Sequence, residues 1–370
     1  MTESLPPENF SPVLEERLQE GALSSRVEIF LSSHRKIRCL SYGLGAIGRA
    51  LALRALESPW IEWVGAVDID PAKAGQDAGQ VLGLKSSLGI PVSDDPEGTL
   101  LEVRPEVVLH TTSSFYEDVR PQILVAVGAG CRTVSSAEEL SFLPLQHPEE
   151  ARKLDELAKG RGVAVMGTGV NPGLVMDRLV LDLARNCLEI ENIQAERVVD
   201  LASRRDPLQR KMGVSSKDFQ KDLASPRFGH AGLRESVALI AHGLGWKLDV
   251  VDEEKKAILA ERDFLAGSLE VGRGEVAGVE QRARGFLSGE AVINLLLQMH
   301  IGAPDPHDAI VVEGAPSVRM QIPGGIRGDE ATIAILLRAV QGILLEPPGL
   351  RTSTGLGAFD EIPPVPRRSG

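Results

Sequence analysis

Cysteine is scarce in this sequence. Cys39, Cys131 and Cys187 are the only 3 in 370 residues, and they stand far apart with no CxxC pair. That excludes the even-numbered disulfide frameworks of small secreted scaffolds, and the three read as ordinary reduced side chains. An excess of positive charge is missing too: 40 Lys plus Arg face 52 Asp plus Glu, for a net charge of -12. Such a balance opposes a nucleic-acid backbone or an anionic membrane surface as partner. Nowhere do about 18 apolar residues stand together, and the opening MTESLPPENFSPVLEERLQEG has no basic start followed by an apolar run. A cytoplasmic protein with neither membrane nor nucleic acid as partner is the expectation. His110, His147 and His307 show no metal-ligand spacing, so no metal is expected.

What is present, 43% hydrophobic and 25% charged residues, suits a globular chain with room for two domains. Residues 1–35 read as an extension carrying at most one short helix. From Lys36 onward, the short apolar runs KIRCLSYG, IEWVGAVDID, EVVLHTTSS, CRTVSS and GVAVMGTG alternate with stretches whose apolar positions recur every three or four residues. That alternation predicts an α/β fold, a doubly wound parallel sheet of Rossmann type over 36–170. Past Asn171 the pattern loosens into a second, α+β domain over 171–328. In its segment AVINLLLQMHI, Ile293, Leu295, Leu297, Met299 and Ile301 share one strand face, and Asn294, Gln298 and His300 the other. A helix over 329–350, stopped by PPGL, is expected to return to the first domain, and 351–370 form a Gly- and Pro-rich tail.

YGLGAIGRALA places Gly43, Gly45 and Gly48 in GxGxxG spacing between an apolar strand and an amphipathic helix. The first glycine permits a tight turn, the second lets backbone approach a pyrophosphate, and the third allows close helix packing. With Ala46 and Ile47 in the same turn, the helix N-terminus would face the anion. Asp68, twenty residues after Gly48, can accept hydrogen bonds from a ribose diol. It would favour NAD by repelling a 2′-phosphate, yet Lys73 stands close enough to compensate, so NAD and NADP both stay open. Thr111, Thr112 and Ser113, at the carboxyl end of the next strand, can contact the nicotinamide ribose or cap the following helix.

The strand in TVSSAEELSFLP should end on the same ligand-facing edge, carrying Glu138 and Glu139 to the nicotinamide position. A carboxylate partly dried by Phe142, Leu143 and Pro144 would have a raised pKa and could take a proton from an amine. The structural alternative is a short helix capped by Ser135 or Ser136, with both acids in its first turn. GTGVNPG then closes the last run. Asn171 and Pro172 can start the helix GLVMDRLVLDLAR or line the seam between the domains. His230 suits either the cleft or a helix entry, and Arg197 and Arg204 could hold a substrate carboxylate or be solvated.

Taken in order, GLGAIG, VDIDPAKAGQDAG, VLHTTSSF, VSSAEELSF, GTGVNPG and GHAGLRESVALIAHGLGW resemble the dihydrodipicolinate-reductase-like group that includes 2,4-diaminopentanoate dehydrogenase and the native amine dehydrogenases. The likeness spans roughly residues 36–350. It implies a Rossmann domain for NAD or NADP, a second domain with an open mixed sheet that completes the pocket and a homodimer, and a glutamate at Glu138 that assists amine chemistry. It also implies that Asn171, Pro172 and His300, the last on the open sheet, line the substrate pocket. The paired-His and Lys signature and the DAPSGT-like loop of true dihydrodipicolinate reductases are absent, which argues against their dicarboxylate substrate. The expected activity is reversible oxidative deamination of a small amine or amino acid to ketone and ammonia. Reduction of a preformed imine, and a non-catalytic dinucleotide-binding regulator, are the alternatives.

Overall fold

The computed structural model describes residues 35–201, 219, 223, 225, 227–266 and 269–355. Arg204, nearly all of the N-terminal extension and the tail from 356 lie outside the described residues. Seven parallel strands form the first sheet: β1 (Ile37–Tyr42), β2 (Ile61–Val67), β3 (Val92–Ser93), β4 (Val107–His110), β5 (Arg132–Ser135), β6 (Ala164–Gly167) and, from the far end of the chain, β15 (Gly349–Thr352). Their order is β15-β6-β5-β4-β1-β2-β3. Strands covered on both faces need continuous apolar runs, and the four residues of β4 and of β6 are all buried.

Helices α1 (Ala46–Glu57) and α8 (Gly328–Leu345) pack on one face, the latter through Leu336, Ala339, Val340 and Ile343. On the other face lie α3 (Pro96–Val103), α4 (Tyr116–Gly128) and α5 (Pro148–Arg161); α2 (Ala78–Val81) is a single turn after β2. Helix α5 shows how locally these elements are specified. Pro148 opens it, Glu149 and Glu150 occupy the first turn and Lys159 and Arg161 the last, Ala151, Leu154 and Ala158 make its buried stripe, and Gly162 at φ +69° ends it.

A six-stranded mixed sheet builds the second domain from β7 (Glu189–Asp200), β8 (Val250–Leu259), β11 (Val276–Leu287), β12 (Glu290–His300), β13 (His307–Ala315) and β14 (Val318–Pro323). The order is β14-β13-β7-β12-β11-β8, with only β12 and β7 parallel. A two-stranded ribbon, β9 (Phe264–Ala266) with β10 (Leu269–Val271), stands beside it. One sheet face buries Ile293, Leu295, Leu297 and Met299 against α6 (Arg178–Ala184) and α7 (Leu233–Leu244). The opposite face carries polar side chains. Among the described residues, no helix is long and apolar enough to cross a membrane.

The helix expected directly after NPG starts later, at Arg178. Buried Asp177 explains the delay: its carboxylate accepts from Gly173 N at 2.8 Å, from Arg178 N at 2.6 Å and from Ser236 Oγ at 2.8 Å, so it caps α6 itself. Asn171 and Pro172 therefore do not initiate that helix.

Candidate active site

Strand order places β1 between β4 and β2, and open α/β sheets form their ligand crevice outside the carboxyl ends of such strands. The glycine turn sits there. Gly43, at φ +96°, donates its N–H to Val67 O at 2.8 Å, and Thr111 Oγ1 donates to Gly43 O at 3.0 Å. A Cβ on Gly48 would come within 2.0 Å of Gly43 O, so any side chain would force the helix off the turn. Around Gly45, by contrast, a Cβ would meet nothing within 4 Å among the described residues. Among the described residues no side chain caps α1, and its first turn has no acid. Its N–H groups thus face open space, the arrangement an anionic pyrophosphate requires.

Asp68 follows β2 and is nearly buried. Burial raises its pKa, but hydrogen bonds from Asp70 N, Lys73 Nζ and Leu44 N outweigh that and hold the carboxylate below its ordinary range. Lys73 is itself divided between Asp68 at 2.9 Å and Asp70 at 3.3 Å.

A cavity of about 410 Å³ runs from this turn to the seam between the domains. Gly45, Ala46, Ile47, Thr111, Thr112 and Ser113 line its dinucleotide end; Glu138, Asn171, Pro172 and His230 line the other. Thr112 Oγ1 donates to Gln122 at 2.6 Å and Ser113 Oγ to Asp118 at 2.8 Å, so both hydroxyls already have partners. Beneath them His110 is held neutral: burial lowers its pKa to about 4, and its ring nitrogens meet Ser135 Oγ at 2.9 Å and Gln122 Oε1 at 2.7 Å.

The two adjacent acids part ways. Both lie in the first turn of a 3-10 helix, Glu138–Leu145, which Ala137 precedes with no side-chain cap; Ser135 instead accepts from Ala137 N at 3.0 Å. Glu139 turns toward α4, where its carboxylate accepts from Tyr116 N at 2.6 Å and so satisfies a free N–H at that helix start. Glu138 lines the cavity. Burial pushes its carboxyl up to about 7; a hydrogen bond from Ser114 lowers it, and the charge of Glu139 adds to the rise. A carboxyl poised there exchanges protons readily at neutral pH.

Asn171 and His230 meet across the seam, Nδ2 to Nε2 at 3.2 Å, while Ser236 Oγ donates to Asn171 Oδ1 at 3.2 Å. Gln281 fixes the loop carrying His230, its Oε1 accepting from His230 N and its Nε2 donating to His230 O at 3.0 Å. His300 does not join them. It pairs with Gly278, three residues from Gln281, so strand alternation sets it on the sheet face opposite the one that holds His230. Arg197 is also committed elsewhere, buried in an ion pair with Asp308 at 3.0 Å.

Residues that the sequence reading missed complete the cavity. Ser141 and Thr168 line it, and their buried hydroxyls have no hydrogen-bond partner among the described residues. Gly328, Asp329 and Thr332 arrive from the start of α8, Thr332 Oγ1 accepting from Val170 N at 3.3 Å. Ser141 stands inside the quoted TVSSAEELSFLP and Thr168 inside GTGVNPG; nothing local marks the others. Open space at Gly45, a carboxylate at the β2 end and unpartnered hydroxyls beside Glu138 all fit a bound nicotinamide dinucleotide.

Comparison with known proteins adds an independent line. A family model described as the 2,4-diaminopentanoate dehydrogenase C-terminal domain matches residues 174–363. The chain is 30% identical over 353 residues to the 2,4-diaminopentanoate dehydrogenase of Acetoanaerobium sticklandii, covering 90% of this chain and 94% of that protein. It is 27% identical over 345 residues to an amine dehydrogenase of Streptomyces virginiae, covering 85% and 94%. The solved amine dehydrogenase from Mycobacterium smegmatis superposes with a TM-score of 0.79 at 21% identity, over 89% of this chain and 98% of that one, and shares the fold.

Proposed function

The chain belongs to the 2,4-diaminopentanoate dehydrogenase family and is an oxidoreductase acting on amines, and we propose that it catalyses the reversible, NAD-dependent oxidative deamination of a small amine or amino acid to ketone and ammonia. Glu138 carries this reading: it stands in the cleft that the glycine turn opens, with a carboxyl near pKa 7.

Gly43, Gly45, Ala46, Ile47, Gly48, Asp68, Thr111, Thr112 and Ser113 would hold the dinucleotide. Two carboxylates, Asp68 and Asp70, share the single cation of Lys73, which leaves a negative balance at the ribose end. A free 2′-hydroxyl suits that balance better than a 2′-phosphate, which favours NAD over NADP. A dinucleotide held there would supply the hydride acceptor for the carbon bearing the amine. Ionised Glu138 first takes a proton from the substrate ammonium, freeing the nitrogen lone pair that forms the C=N bond as hydride leaves. Having passed that proton to solvent, Glu138 takes another from the water that adds to the carbon. It then returns it to the departing nitrogen, which also takes the hydroxyl proton as the carbonyl forms, so one substrate ammonium, one water and one oxidised cofactor give ketone, ammonium, reduced cofactor and a proton. Asn171, tied to His230 and Ser236, and Pro172 position the substrate at the seam.

In this reading the enzyme is cytoplasmic, where its three free cysteines stay reduced. It is also a homodimer, formed through the open face of the second sheet, where Leu296 stands among Gln194, Glu196 and Asn294. The test is reduction of NAD or NADP by the purified protein across a panel of primary amines and amino acids, with released ammonia measured in parallel. Equimolar ammonia and reduced cofactor are expected. Cofactor binding without turnover of any amine would overturn the proposal.

A further inference from the structure

The covered face of the second sheet should be apolar, since α6 and α7 pack on it. One rank across it is not. Strand register sets Lys255 of β8, Gln281 of β11, Leu297 of β12, Arg197 of β7, Asp308 of β13 and Ile322 of β14 directly opposite one another, one from each strand. Directly opposed residues share a face, and Leu297 is packed in the covered core. Gln281, Arg197 and Asp308 stand in the same rank although they are only 0%, 4% and 1% exposed. Sheet stability does not account for the charged pair, because apolar residues of similar volume in place of a buried ion pair are often neutral or stabilising.

What the polar members hold is the chain on either side of the cleft. Gln281 Oε1 accepts from His230 N and its Nε2 donates to His230 O at 3.0 Å, while Lys255 Nζ donates to Phe228 O at 2.7 Å. A Cβ on Gly229, at φ +90°, would lie 2.6 Å from Gln281 Oε1, so this loop lies directly on the rank. At the other end Asp308 accepts from Ile326 N at 2.6 Å and Arg197 donates to Ile326 O, the two side chains joined by their own ion pair at 3.0 Å. Both backbone groups of His230, and both of Ile326, are therefore gripped by side chains of one rank.

The two grips converge on one short segment. His230 Nε2 meets Asn171 Nδ2 at 3.2 Å. Helix α8 begins two residues after Ile326, and its Thr332 accepts from Val170 N at 3.3 Å. Val170 and Asn171 are thus tied to opposite ends of the rank, and Pro172 follows them in the cavity that Glu138 lines.

We propose that Gln281 and the Arg197–Asp308 pair are positioning residues: from the second sheet they set, through His230 and through the start of α8, where the segment from Val170 to Pro172 presents the substrate to Glu138. The inference rests on the deamination reading for what is presented, and not for the mechanical link itself.

The test compares Gln281→Met, the double variant Arg197→Met with Asp308→Leu, and Leu297→Met as a control within the rank that grips neither loop. None of them leaves a lone buried charge. A misplacement of about 1 Å costs on the order of 100-fold in rate, so kcat for amine oxidation at saturating cofactor should fall about 10- to 100-fold in both grip variants and stay unchanged in Leu297→Met. A grip variant that folds and keeps full kcat removes its residues from the proposal. Amide hydrogen exchange reads the link without turnover. The Val170 N–H, which touches neither substitution, should exchange about 2- to 10-fold faster in both grip variants, as expected when one ordinary hydrogen bond is weakened, with the α1 amides unchanged. That result with no amine oxidised would support the link and fail only the deamination reading. Exchange at Val170 unchanged, or accelerated equally throughout the chain, would overturn the link.

Discussion

Replacing Glu138 by Gln keeps the size and most of the packing of the side chain and removes its ability to carry a proton. General acid–base catalysis contributes about 10²- to 10⁴-fold, equivalent to about 3–5 kcal/mol of barrier, and kcat for amine oxidation should fall within that range while cofactor affinity persists. The pH profile supplies a second reading. Glu138 must be ionised to accept the ammonium proton, so kcat/KM in the oxidative direction should rise through about 7 and then level, and Glu138→Gln should lose that inflection. Neighbouring Glu139 raises the Glu138 pKa by its charge, so Glu139→Gln should move the inflection to lower pH without abolishing it. Because Glu139 also accepts from Tyr116 N, that variant should lose about 1 kcal/mol of stability, the usual cost of weakening a helix start. Stopped-flow absorbance of reduced cofactor from about pH 5 to 9 reads the kinetic effects, and denaturant melts read the loss of stability. Turnover and inflection both intact in Glu138→Gln would refute the assignment.

Three further outcomes follow from the geometry. Gly45→Ala should weaken dinucleotide binding and leave Tm nearly unchanged, because its methyl fills open space; Gly48→Ala should damage folding, because its methyl would lie 2.0 Å from Gly43 O, and thermal melts with cofactor titration separate the two. Burial pushes Glu235 up to about 7, so between about pH 4.5 and 7 the unfolded chain releases a proton that the folded state retains, and stability falls as pH rises. Glu235→Gln should therefore gain up to about 3 kcal/mol near pH 8 and nothing near pH 4 in denaturant melts, and an equal gain at both would contradict this. Asp68→Ser should lower affinity for NAD more than for NADP, measured by nicotinamide fluorescence; an unchanged preference would remove Asp68 from cofactor choice.

The first domain is legible in the sequence because each signal is local. Gly43 and Gly48 are demanded by a turn a few residues long, and β4 and β6 are buried throughout and almost wholly apolar because both faces are covered. Long-range placement is not local. Strand β8 escapes notice because VVDEEKKAIL lies at the sheet edge, mostly half-buried, where charged side chains persist. Strand β11, VAGVEQRARGFL, mixes Gly and Arg because a Cβ on Gly278 or Gly285 would collide with His300 or Leu248, and Arg284 pairs with Asp252 of neighbouring β8. The alternation that separates His300 from the apolar side of β12 is legible, but which face meets the cleft depends on where α7 packs. The return of the last helix to the first domain is legible, but nothing near Gly328 or Thr332 signals that its start lines a cavity whose other walls run from Gly45 to His230. Likewise, the division of labour between Glu138 and Glu139 follows from the approach of α4, which only the folded chain provides.

Formation of the C–N bond is the central claim, and isotopically labelled ammonium tests it most directly. The purified protein is supplied with NADH, labelled ammonium and 2-amino-4-oxopentanoate, and the product is examined by mass spectrometry. The account predicts ammonium-dependent NADH consumption and a diamino product carrying the label at the former carbonyl carbon. Consumption of NADH without label in the product would assign the site to a preformed imine or to carbonyl reduction. NADH that binds but is never consumed would make the chain a dinucleotide-binding regulator, and either result would contradict the account.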